Sequence, residues 1–174
     1  MEWLKLLVAL AVVYLGAHFA LKRFYKEKWW EKRLNAFNTQ IEAAYLLHRV
    51  LKYRHDKTLY GDKPKNIVGF IKLEDPEVEI LDKQYRHALA ELEKFHYLGS
   101  LLTSKGSVDL IKSFFDKLNA ITPLLLDLDH EALEKSKLWS EKLLNDLVEE
   151  AKFQLKIDEG QREFWEIPLI KDNS

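Results

Sequence analysis

The chain has 174 residues, 47% hydrophobic and 32% charged, which fits one domain or a small domain with an appendage. It contains no Cys, which excludes a disulfide framework, a thiolate metal site and a Cys nucleophile. Few Gly and Pro exclude collagen-like and low-complexity chains, and a formal net charge of -1 excludes a uniformly basic, nucleic-acid-coating protein.

The first element is apolar. Residues 3–21 hold one Lys and one His. As a helix rising about 1.5 Å per residue, they span roughly 28 Å, close to the roughly 30 Å of bilayer hydrocarbon. Lys5 lies near one end, where its stem can snorkel. Trp3 suits one interface, and Phe24, Tyr25, Trp29 and Trp30 suit a belt beyond the other. A cleaved signal peptide fits poorly. Cleavage after Ala17 or Ala20 would put Leu15 or His18 where a peptidase wants a small residue. Residues 1–22 are therefore expected to form a transmembrane helix.

Charge sets its orientation. Lys22, Arg23, Lys26, Lys28, Lys32 and Arg33 follow the span, opposed only by Glu27 and Glu31. The positive-inside rule places the C-terminal bulk in the cytoplasm and makes residues 23–33 a basic, lipid-facing juxtamembrane helix. Within the span, Ala9, Val13, Gly16 and Ala20 share a helical face, and small residues there suit self-association. His18, near the cytoplasmic end, either reaches the headgroups or lines an aqueous path.

Residues 34–174 read as helices throughout, with no hairpin signal. Leu34, Phe37, Ile41, Ala44, His48, Leu51 and His55 form one stripe, continuing the first helix until Tyr60 and Gly61. A loop follows to residue 75, with a short extended piece at 67–73. Asp75 as N-cap and Pro76 as first helical residue predict a second helix with Leu81, Tyr85, Ala88, Leu92, Phe95, Gly99 and Leu102 inward. Ser107 is expected to cap a short third helix carrying Val108, Ile111, Phe115 and Leu118, and Thr122-Pro123 to start another segment. A last helix runs from about 129 to 157 with Leu133, Leu144, Leu147, Ala151 and Leu155 inward. Its tail, with Phe164, Trp165, Ile167, Leu169 and Ile170, is expected to dock. The fold class is all-α: a transmembrane helix followed by a cytoplasmic antiparallel helical bundle.

Chemistry-bearing residues are sparse. The acidic group Asp127, Asp129, His130, Glu131 and Glu134 suits a helix N-terminus better than a metal site. No phosphate loop, nucleophile elbow or zinc-protease spacing occurs, so no metal or cofactor is expected. Arg49 and His55 match an Arg-x(4–6)-His pattern. This resembles the signature of the HEPN superfamily of helical ribonucleases, where a dimer gathers two copies of each. The resemblance implies a catalytic pair, with His as general acid–base and Arg stabilising developing charge. Val50 departs from the polar residue usual after that Arg, and the motif sits early in the chain.

One span, a basic juxtamembrane segment and a HEPN-like bundle together resemble the small membrane accessory proteins of type VI-B CRISPR systems, companions of an RNA-guided RNase. That resemblance implies a bacterial inner-membrane protein of antiviral defence. It implies homo-oligomerisation, in six or more copies, into a pore that permeabilises or depolarises the membrane and enhances RNA-targeting immunity. Its partners would be lipids and further copies of itself, with a functional link to the nuclease, and nucleic acid is not expected as main ligand. Two alternatives stand beside it: a membrane-tethered, metal-independent ribonuclease using Arg49 and His55, and a bitopic scaffold holding a cytoplasmic partner at the membrane.

Overall fold

The structure, a computed structural model, describes residues 2–61 and 70–155; the side chains at 2, 4–9, 11 and 126 lie outside the description. The described residues form four helices and no strand: α1 (Glu2–Tyr60), α2 (Asp75–Leu102), α3 (Lys105–Leu126) and α4 (His130–Leu155). The expected tail lies outside the described residues, as does most of the loop before α2. Its described part, 70–74, belongs to no helix or strand.

α1 is a single helix of 59 residues, about 88 Å long. No Pro precedes residue 64, and Gly16 is the only Gly before Gly61, so nothing interrupts it. The expected boundaries at 22 and 33 leave no break in the backbone. The helix ends where the Gly61 amide donates to the Lys57 carbonyl at 2.8 Å.

The other ends depart from expectation in detail. Glu74, not Asp75, is the N-cap of α2, and its amide donates to the Glu77 carboxylate at 2.9 Å. Asp75 is instead the first helical residue, where its charge complements the positive helix end. Ser104, not Ser107, caps α3: its hydroxyl accepts from the Ser107 amide at 3.0 Å. Pro123 starts no new segment and lies inside α3. It falls in the last turn, where it removes one ladder bond and only three helical residues follow it. Asp129 caps α4, accepting from the Ala132 amide at 2.8 Å.

α1 packs against α2 and α4, and α3 packs against the same two, leaving α1 and α3 diagonal. One end of the bundle joins Arg33 to Thr103 and Gln154; the other joins His55 to His130 and Tyr53 to Leu73. The helices therefore alternate up and down. Leu47, Leu51, Leu92, Ile111 and Leu147 are fully buried between them. Phe37, Ala151 and Leu155 form a smaller cluster at the Arg33 end.

Candidate functional site

The bundle uses only part of α1. Every described side chain from Trp3 to Lys32 is exposed, and burial begins at Arg33. About 45 Å of helix thus projects beyond the bundle. Leu10, Val12, Val13, Leu15, Phe19 and Leu21 are all exposed on it. Val13 is 71% exposed, and a Cβ built on Gly16 meets nothing within 4 Å. Ala20 is exposed, and the Ala9 side chain lies outside the description. His18 stacks on Tyr14 (6.4 Å between centroids) and meets Phe19 edge-on at 6.2 Å. Among the described residues no helix is long and apolar enough to cross a membrane. The expected span, 3–21, falls partly outside them, at the side chains of 4–9 and 11.

The basic segment divides. Lys22, Lys26 and Lys32 are exposed. Arg23 pairs with Glu27 at 2.8 Å and Lys28 with Glu31 at 2.7 Å. The Lys28 ammonium, by hydrogen bond and charge, holds the Glu31 carboxyl below its ordinary value. Arg33 leaves the belt altogether. Its guanidinium turns into the bundle and donates to the Thr103 carbonyl at 3.0 Å and to Gln154 Oε1 at 2.9 Å. The C-terminal carbonyls of α2 need a donor, and Arg33 supplies one.

Arg33 opens a polar joint that sequence reasoning did not single out. Gln154 Nε2 donates to Glu150 Oε1 at 3.0 Å, and the Ser104 hydroxyl donates to the same oxygen at 2.6 Å. Ser107 and Thr103 share a hydroxyl bond of 2.8 Å, and Gln40 Nε2 donates to Thr103 Oγ1 at 3.2 Å. Gln40 is fully buried, and among the described residues its Oε1 lacks a partner, as does Arg33 Nε. A signal for this joint existed. Gln40 follows Phe37 by three residues on the buried side of α1, and Thr103, Ser104 and Ser107 cluster at one helix junction.

Arg49 and His55 are six residues apart on α1, about 9 Å along the axis and about 120° around it. Arg49 is exposed and hydrogen-bonds Gln84 of α2. His55 is buried and faces α4: its Nδ1 lies 3.0 Å from Asp56 Oδ1 and 3.5 Å from Lys137 Nζ, with the His130 ring at 5.4 Å. The structure does not bring the two side chains together within one chain. It does bring His48 Nδ1 to Ser140 Oγ (3.1 Å), and Arg54 to Asp82 (2.8 Å) and over the Tyr85 ring (4.4 Å). A cavity of about 470 Å³ opens beside Arg54, lined by Tyr53, Leu81, Leu125 and Leu133. Of its charged groups, Arg54 and Asp82 are paired with each other, and Lys57 lines it as well. Among the described residues no group of three or more His, Asp or Glu could hold a metal.

No protein-family model matches the chain, and neither a curated protein nor a solved structure does.

Proposed function

We propose that this chain is a single-pass membrane effector that assembles with copies of itself. The resemblance adds the finer reading: an accessory of RNA-targeting antiviral defence whose assembly forms a membrane pore. The observation that carries the proposal is the uncovered apolar half of α1. Burying a Leu, Val or Phe side chain is worth about 1.5–3 kcal/mol. The six exposed apolar residues from Leu10 to Leu21 therefore forfeit on the order of 10 kcal/mol in water. A bilayer recovers that energy, and Lys22, Arg23 and Lys26 then meet anionic headgroups from the cytoplasmic side.

One span per chain cannot enclose a path, so conduction needs several copies, meeting through Val13, Gly16 and Ala20. His18 then faces protein or water rather than lipid. No observation favours the ribonuclease alternative, because Arg49 and His55 engage different helices.

The test replaces residues 1–21 with an unrelated single span in cells carrying the activated nuclease. The expected result is retained membrane location with lost permeabilisation. Permeability unchanged by the natural chain overturns the pore. Full function in the swapped chain favours the scaffold instead.

A further inference from the structure

α3 ends in a Schellman motif. The Asp129 amide donates to the Leu124 carbonyl at 3.1 Å, and the Leu128 amide to the Leu125 carbonyl at 3.3 Å. Leu128 therefore holds the position that glycine usually takes, at φ 54. Glycine has no Cβ to clash there, whereas leucine does. The apolar contact that accompanies the motif falls to the residue after Leu128, so closing the helix does not need this side chain. The Leu128 side chain is 61% exposed and lines the cavity of about 470 Å³ beside Arg54. Residues held in this region of backbone space cluster at ligand clamps and switch regions.

The cavity has the size and make-up of a small-molecule site. Its volume lies within the roughly 300–1,000 Å³ that such sites occupy. Leu81 and Leu133, both buried, give it an apolar floor, with Val78 and Leu125 beside them. On the described return of the chain to α2, Leu73 lines a different cavity, with Ile80 and Gln84. Charge in the first cavity is uneven. Arg54 and Lys57 stand one turn apart on α1, so both cations reach the same side. Arg54 pairs with Asp82 at 2.8 Å, and Lys57 has no ion-pair partner among the described residues, so one positive charge is left over. A guanidinium paired through one nitrogen keeps donors for a second carboxylate, and its planar fork suits that group. A lipid in the bilayer does not reach this end of the bundle, because Arg54 lies about 50 Å along α1 from Leu21. We propose that the cavity binds a small, dissolved monocarboxylate with an apolar body. The body packs against Leu81, Leu133 and Leu128, and the carboxylate sits between Lys57 and Arg54. Binding here goes beyond assembly through the span and does not require it.

Ligand-observed NMR on the full chain in lipid nanodiscs tests it, with empty nanodiscs subtracted. The probe is 4-phenylbutyrate, and 4-phenylbutylamine supplies the same body with the opposite charge. The carboxylate is expected to bind saturably with a Kd below about 1 mM, and the amine at least about tenfold more weakly. Lys57→Gln should weaken the carboxylate about threefold or more. Leu128→Gly should weaken it about tenfold while raising the urea midpoint, so that lost binding is not lost folding. Leu128→Asn, which also tolerates the left-handed conformation, should weaken it similarly. Lys112→Gln, exposed and about 20 Å along α3 from Leu125, should change nothing. No saturable binding overturns the proposal, including the case in which residues 62–69 fill the cavity. So does equal binding of the amine, an affinity unchanged in Lys57→Gln or in either Leu128 variant, or an equal loss in Lys112→Gln.

Discussion

Leu92→Ala probes the centre of the bundle. Leu92 is 0% exposed, on the face of α2 that also carries Ala88 and Phe95, and belongs to the main cluster with Leu47, Leu51, Ile111 and Leu147. The truncation loses the transfer energy of the removed carbons and leaves a void that helices on either side cannot close without moving each other. Buried Leu→Ala changes of this kind cost about 2–5 kcal/mol. The fully buried position and the rigid antiparallel packing place this one in the middle of that range, about 3 kcal/mol. For a domain of this size, that lowers the melting temperature by on the order of 10 °C. The assay is urea unfolding of the detergent-solubilised full chain, followed by tryptophan fluorescence, since the partly buried Trp139 packs on the same cluster. Leu101→Ala, exposed in the last turn of the same helix, is the comparison and stays within about 0.5 kcal/mol. A loss below about 1 kcal/mol at Leu92, or a larger loss at Leu101 than at Leu92, refutes the facing assigned to α2.

Three further outcomes are expected. Arg33→Met removes both bonds that tie α1 to the ends of α2 and α4, and should lower stability by about 1.5–3 kcal/mol in the same unfolding assay; unchanged stability would mean the joint does not hold the projecting helix. Leu128, in the turn between α3 and α4, adopts the left-handed conformation at φ 54, so Leu128→Gly should relieve about 1 kcal/mol of strain and raise the urea midpoint, whereas a lowered midpoint contradicts it. Burial pushes the Tyr85 hydroxyl above its ordinary pKa of 10.0, against the opposing charge of Arg54. The folded chain then holds that proton more tightly than the unfolded one, so its contribution is complete below pH 10.0 and is lost as pH rises through the folded pKa. Tyr85→Phe should flatten the alkaline fall in stability, and an equally steep fall in the variant would exclude Tyr85 as its source.

The helices were legible in the sequence because their apolar residues keep one face for several turns. Phe37, Ala44 and Leu51 on α1, and Leu81, Ala88, Leu92 and Phe95 on α2, are buried as their spacing requires. Helix ends were less legible, because several residues near each end can cap. Glu74 closes a local capping box with Glu77, and Ser104 accepts from the Ser107 amide three residues on, so in each case the cap falls to one of several eligible neighbours. Pro123 misled because a proline marks a probable helix boundary, whereas here α3 accommodates it and runs three residues further. The polar joint was hidden for another reason. Ser104, Ser107, Glu150 and Gln154 each look like ordinary surface residues until the up-down packing brings two distant helix ends to the same height. Arg33 shows the converse: it reads as one more basic residue after the span, yet its two bonds lie across 70 and 121 residues of chain.

The central claim is that the projecting helix gathers several copies in a membrane. Light scattering on the detergent-extracted particle, with the detergent contribution subtracted, measures the protein mass directly. The account predicts a discrete assembly of six or more copies of the 20.6 kDa chain. A particle of one chain mass would contradict it.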